Sequence, residues 1–219
     1  MDNIGYDRHG DPYESTAKMS RKADPFEWSG GHPALALVNT LDERPLDQPI
    51  ENLATYRDLV HFAELAGLIE PALAATLLET LTGPACSRVA RRARELREHV
   101  HSVLAAVHKR RPVSQRDLDA IASAVRAARA ARVLVQSPSA GLAIYRWSRP
   151  RTAEIPLHAC ALAVEDLLTD VDRGRIRKCE ASDCDVYFVD TSKGHRRQWC
   201  NMKNCGNREK QRRWRASTE

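Results

Sequence analysis

No stretch of the 219-residue chain approaches the roughly 20 consecutive apolar residues that a membrane-crossing helix needs. The first 25 residues, "MDNIGYDRHGDPYESTAKMSRKADP", lack the apolar run of a secretory signal. No segment repeats, and no Ser/His/Asp set, phosphate-binding glycine loop or open-coordinate metal motif is legible. These absences argue against a membrane or secreted protein and against the common enzyme classes. The expectation is a cytoplasmic, non-enzymatic protein. Hydrophobic residues make up 42% and charged residues 29%, a globular rather than disordered balance. The length allows one core with an appendage, or two modest domains.

Six cysteines are present, and with no secretory signal their expected state is reduced or metal-bound. Cys179 and Cys184 form one closely spaced pair and Cys200 and Cys205 another, while Cys86 and Cys160 stand alone in helix-like surroundings. Zinc takes a tetrahedron of thiolates or imidazoles, and two short-spaced pairs are the usual way to assemble one. Four thiolates leave no position for water, so the expected metal is one structural zinc per chain. His195, at an expected turn tip, reads as solvated rather than as a ligand. Between the pairs, "DVYFVDTSKGHRRQW" reads as strand, turn and strand, a hairpin that would bring Cys184 and Cys200 together.

Helical periodicity dominates the preceding chain. "ENLATYRDLVHFAELAGL" carries one apolar stripe and stops at Gly67, and Pro71 opens a helix to Leu81. Between Pro84 and Arg111, residues Val89, Ala93, Leu96, Val100, Val103, Leu104 and Val107 recur at steps of three and four. Ser114 reads as the N-cap of the next helix, and Ile155 to Val171 as another. "RVLVQ" and "GLAIYRW" read as a short hairpin across "SPSA", whereas the apolar run between Phe26 and Arg44 is too short to classify. The expected fold is mainly α: a disordered leader over 1–25, a multihelical domain with a β-hairpin over 26–172, and a zinc-bound hairpin-plus-helix module over 173–219, joined at "TDVDRGRIRK".

Charge is concentrated in that last module. Arg177 to Arg215 holds eleven Lys and Arg against five Asp and Glu, a net +6 that leaves −1 for the rest of a chain totalling +5. After Cys205, "GNREKQRRWR" reads as a helix with Arg208, Arg212 and Arg215 on one face and Glu209 able to pair with Arg213. With Arg196 and Arg197 they make a candidate phosphate-binding surface, to which the helix N-terminus adds free N–H groups. Arg208 has a second reading, bonding carbonyls or Asp190 to hold the module together.

The whole segment "CEASDCDVYFVDTSKGHRRQWCNMKNCGNREKQRRWR" resembles the CGNR zinc finger, whose name is spelled here by Cys205, Gly206, Asn207 and Arg208. The resemblance implies zinc on Cys179, Cys184, Cys200 and Cys205 and a role in bacterial DNA binding. Upstream, "SGGHPALALVNTLDER" resembles the opening motif of the ABATE domain, matching at Gly30, Gly31, Leu35, Asn39, Thr40 and Arg44. Where that family has Asp in a Leu-Asp-Phe stretch, this chain has Ala36 and Leu37. This second resemblance implies a stress-induced transcription regulator with a ligand-sensing domain.

Asn39, Thr40 and Arg44 offer an amide, a hydroxyl and a guanidinium that could converge on a polar or anionic effector. The competing reading has Asn39 and Thr40 capping the next element and Arg44 pairing with a carboxylate. The expected function is a transcription regulator whose finger contacts double-stranded DNA and whose helical domain senses a small-molecule effector or forms a homodimer. The alternative is a zinc-stabilised module that binds a protein partner.

Overall fold

In the computed structural model the described residues are 24–137, 141–169 and 173–217. Most of the expected leader therefore lies outside them, as do residues 138–140 of the "SPSA" turn and 170–172 of the join.

The unclassified run resolves into a six-residue helix, α1 (Pro33–Val38), with Pro33 in its first turn and the His32 ring accepting a hydrogen bond from the Ala34 N–H. Ala34 to Val38 are all buried, which is why no amphipathic period marked it. A minimal ladder, β1 (Leu41–Asp42) with β2 (Ile50–Glu51), follows. The remaining helices fall where the sequence places them. Helix α2 (Tyr56–Leu65) opens on a reciprocal Thr55/Asp58 capping box, and the chain leaves it through Gly67 at φ +67°. Helix α3 (Pro71–Thr80) and the long α4 (Pro84–His108) each begin on proline, and α5 (Gln115–Ala130) begins on the Ser114 hydroxyl.

The hairpin of β3 (Arg132–Gln136) and β4 (Ala143–Trp147) pairs Arg132 with Trp147 and Leu134 with Tyr145. Helix α6 (Ile155–Thr169) is apolar on most of its circumference because it runs through the middle, packed against α1, α2, α4 and α5.

The C-terminal module contains β5 (Ile176–Lys178), β6 (Tyr187–Val189), a five-residue π-turn over Met202–Gly206 and helix α7 (Asn207–Ala216). Its hairpin differs from the expected one. Strand β6 pairs with β5, antiparallel, and 196–199 forms no strand. The first cysteine pair thus sits in the loop of the hairpin rather than at its base. The 190–199 segment is instead held by buried Asp190, which accepts hydrogen bonds from the Ser192 N–H, the Ser192 hydroxyl and the Arg197 N–H at 2.9, 2.6 and 2.9 Å. A side chain does there what a ladder would otherwise do.

Candidate metal centre and its anchoring strand

Cys179 follows β5 and Cys184 precedes β6, and the Cys179 N–H bonds to the Val186 carbonyl at 2.9 Å, extending the ladder under the loop. Cys200 and Cys205 bracket the entry to α7, where the Asn201 side chain accepts from the Lys203 and Asn204 N–H groups and shapes the turn. The four sulfurs lie within 4.8 Å of one another, with Cys184 to Cys200 at 3.8 Å and Cys200 to Cys205 at 3.6 Å. Metal–sulfur bonds of about 2.3 Å at tetrahedral angles give sulfur–sulfur edges of about 3.8 Å, so the spacing matches the ion.

The chemistry of the donors agrees. Hydrogen bonding to Cys179 pushes the Cys184 thiol up to about 12, and hydrogen bonds from Cys179 and Cys184, with burial behind them, raise Cys200 above the ordinary thiol range. Hydrogen bonds from Cys184 and Cys200 hold Cys179 well below the ordinary thiol range, so one thiolate forms readily; its neighbours then resist ionising beside it, and a divalent cation at the centre removes that resistance. The cluster fits one structural zinc.

The signature residues after Cys205 surround this centre. A Cβ on Gly206 would meet the Met202 sulfur at 2.5 Å and the Trp199 ring at 3.3 Å; the methionine can swing aside but the indole is packed against the small core. Asn207 donates to the Lys203 carbonyl at 3.1 Å. Arg208 donates to Asp183 at 2.8 Å and to the Cys205 sulfur at 3.4 Å, linking a ligand to the first-pair loop. Its fold-holding reading therefore applies, with Asp183 as the carboxylate in place of Asp190.

The other predicted cations divide in the same way. Arg212 bonds Asp183 at 2.7 Å, the Ser182 hydroxyl at 2.7 Å and Glu209 at 2.5 Å, so Glu209 pairs at i,i+3 with Arg212 rather than with Arg213. Arg197 turns inward, donating to the Trp199 and Cys200 carbonyls with its guanidinium 4.4 Å from the Phe188 ring centre. Arg196 and Arg215 are exposed and form no ion pair among the described residues. Three of the five arginines hold the module, and two project from it.

Strand β6 ties this module to the helices. Its alternate side chains serve two cores: Val186 and Phe188 face the cysteine cluster, while Tyr187, 2% exposed, joins the helical core and Val189 packs against it. The Asn39 amide donates to the Tyr187 carbonyl and accepts from the Tyr187 N–H, both at 3.0 Å, reproducing a strand's pairing with one side chain. The Val189 N–H bonds to the Gly30 carbonyl at 2.9 Å. Glycine at position 30 eases this approach, since a Cβ there would sit tightly against Leu35, Asn39 and the Tyr187 carbonyl, at 3.1 to 3.2 Å. His101 completes the seam, 2.8 Å from Asp185 and edge-on to the Tyr187 ring.

The residues expected to gather an effector are thus committed elsewhere. Asn39 is buried against Tyr187, and the Thr40 hydroxyl donates to the Leu37 carbonyl at 2.7 Å and accepts from Arg97 at 3.2 Å. Arg44 forms a two-pronged pair with Glu98 at 2.8 and 3.0 Å. Arg44 is paired with a carboxylate, and Asn39 closes α1 as its C-cap while its side chain bonds the Tyr187 backbone. Arg97, 3% exposed and bidentate to Glu51 at 2.6 and 2.7 Å, ties Thr40 into the same network. Sequence reasoning passed over Arg97 because a single arginine on an apolar stripe looks like any surface cation. Tyr187 was more accessible: four consecutive apolar residues, "VYFV", signal a strand buried on both faces.

The fold and its cysteine tetrad define a class: a multihelical domain carrying a zinc-finger module on a shared strand. The chain belongs to the ABATE family, described as "Putative stress-induced transcription regulator", which matches residues 31–171. The CGNR zinc finger matches residues 175–217. No curated protein matches the chain. Both families are of regulatory or zinc-finger type rather than enzymatic, and among the described residues no helix is long and apolar enough to cross a membrane.

Proposed function

We propose that the protein is a DNA-binding transcription regulator in which the finger contacts duplex phosphates and the helical domain is the regulatory half, taking a small effector or a second copy of the chain. The carrying observation is a net charge of +6 confined to a segment that a tetrad of cysteines and a shared strand hold against the helical body. Unpaired cations on a rigid frame suit phosphate, because no ion pair has to be broken on contact. In this reading Arg196 and Arg215 touch DNA, while Arg197, Arg208 and Arg212 keep that surface in shape. The proposed division of the chain is 26–172 for the helical domain and 173–219 for the finger.

Salt dependence tests it. Changing Arg196 and Arg215 together to Gln should weaken specific and random duplexes by similar factors and flatten the log–log salt slope by up to about 2 units, with zinc content unchanged. A second reading, a protein-binding finger, is favoured by Trp214 at 70% exposure and Met202 at 49% on and beside α7, since aromatic and Met side chains are enriched at protein interfaces. An unchanged affinity and slope in the double variant with zinc in place would select it.

A further inference from the structure

A cavity of about 880 Å³, lined by none of the four clustered cysteines, opens on the helical domain where the hairpin β3–β4 meets α6 and the end of α2. Leu65, Leu68, Leu162, Tyr145 and Trp147 line it. That volume is in the range of small-molecule sites, and the walls are of the apolar and aromatic kind that buries a ligand's body.

One charged group in it lacks an opposite charge. Arg132 is half-buried with its guanidinium carbon 4.5 Å from the Tyr145 ring centre and 6.0 Å from that of Trp147, and no carboxylate among the described residues lies within 4 Å of it. Arg129, one turn earlier, is by contrast paired with Glu165 at 2.9 Å. An arginine stacked on rings keeps its in-plane N–H fork available, the geometry that takes a carboxylate with two hydrogen bonds. Asp166 lines the cavity too, and shares with Arg132 an adjoining cleft of about 340 Å³; it is held by His32 at 3.1 Å, and its negative charge disfavours a second anionic group on the ligand. Another charged cleft, of about 530 Å³ beside Cys179 and Cys184, has Arg44, His101 and Lys178 already paired with Glu98 or Asp185.

We propose that the Arg132 cavity binds a small amphipathic monocarboxylate, with the carboxylate on Arg132 and an aromatic or branched apolar body between Tyr145, Trp147 and Leu162. The site stands whether or not the finger binds DNA.

Titration calorimetry on the full zinc-loaded chain tests it with phenylacetate and octanoate as probes and phenylacetamide as the uncharged control. One carboxylate per chain should bind saturably, with phenylacetamide and the Arg132→Gln variant each at least about tenfold weaker, the worth of one charge-assisted pair. Leu162→Trp, which narrows the space for the apolar body, should weaken binding of acid and amide alike, while Arg132→Gln reports on charge alone. The proposal is overturned if neither acid gives saturable heat up to about 1 mM, the weak end of measurable affinity. It is equally overturned if the amide binds as well as the acid or Arg132→Gln leaves affinity unchanged.

Discussion

Cys205 joins the metal centre to the basic helix, since Arg208 reaches its sulfur at 3.4 Å and α7 starts two residues later. Replacing it with Ser should drop zinc well below one equivalent per chain by elemental analysis, because three thiolates and a hydroxyl hold the ion much less tightly. Cys86 and Cys160 are buried among the helices, and Ser there should leave zinc content as it was. Full zinc in the Cys205 variant would refute the four-thiolate centre. Asp117 offers a second residue-scale test, in the helical half. Hydrogen bonds from the Ser102 hydroxyl at 2.6 Å and from His99 at 2.8 Å hold its carboxyl below the ordinary 3.8. A depressed folded value means the contribution to stability is complete above about 3.8, the unfolded value, and is lost as pH falls through the lower folded one. Asp117→Asn should therefore lower the melting temperature at neutral pH, and its gap from the parent should close in acid. A gap that persists unchanged to pH 2, about the floor for such a carboxylate, would mean the bonds matter only as neutral contacts.

At the scale of elements, β6 is the strand to perturb. Tyr187→Ala removes a ring from the helical core while leaving Phe188 and Val186 over the cysteines, and should cost about 3 to 5 kcal/mol in denaturant melts of the helices with zinc still bound. Loss below about 1 kcal/mol, the average cost of a point substitution, would show that the two cores are not joined there. The same strand marks where the sequence was legible. Helices α2 to α6 could be read from caps, prolines and apolar steps because those signals are local. The cysteine tetrad could be read from spacing for the same reason. What escaped was partnership across the chain: β6 pairs backwards with β5, Asn39 faces Tyr187 from 148 positions away, and Arg208 and Arg212 converge on Asp183. Periodicity tells which face of an element is apolar, but not which distant element it meets. The run at 33–38 escaped for a different reason, being buried all round.

For the whole molecule, the shared strand makes the independence of the helical domain a measurable quantity. A chain ending at Asp172 keeps α1 to α6 and their mutual packing but loses Tyr187 and leaves the Asn39 amide without its backbone partner. It should remain helical by circular dichroism and unfold cooperatively, roughly 3 kcal/mol or more below the intact protein. A molten product would place the domain boundary elsewhere; equal stability would mean that the shared strand adds nothing to the helical core.

The shared strand also limits how the two halves can be inherited. A gene fusion that carried residues 173–219 to another helical body would bring a finger whose Tyr187 and Val189 face outward with nothing to receive them. The recipient would need a backbone carbonyl and, nine positions later, an asparagine just past a buried six-residue helix, as Gly30 and Asn39 are arranged here. Finger and socket therefore fit as a matched pair, and a change in "VYFV" should call for a compensating change in "GGHPALALVN".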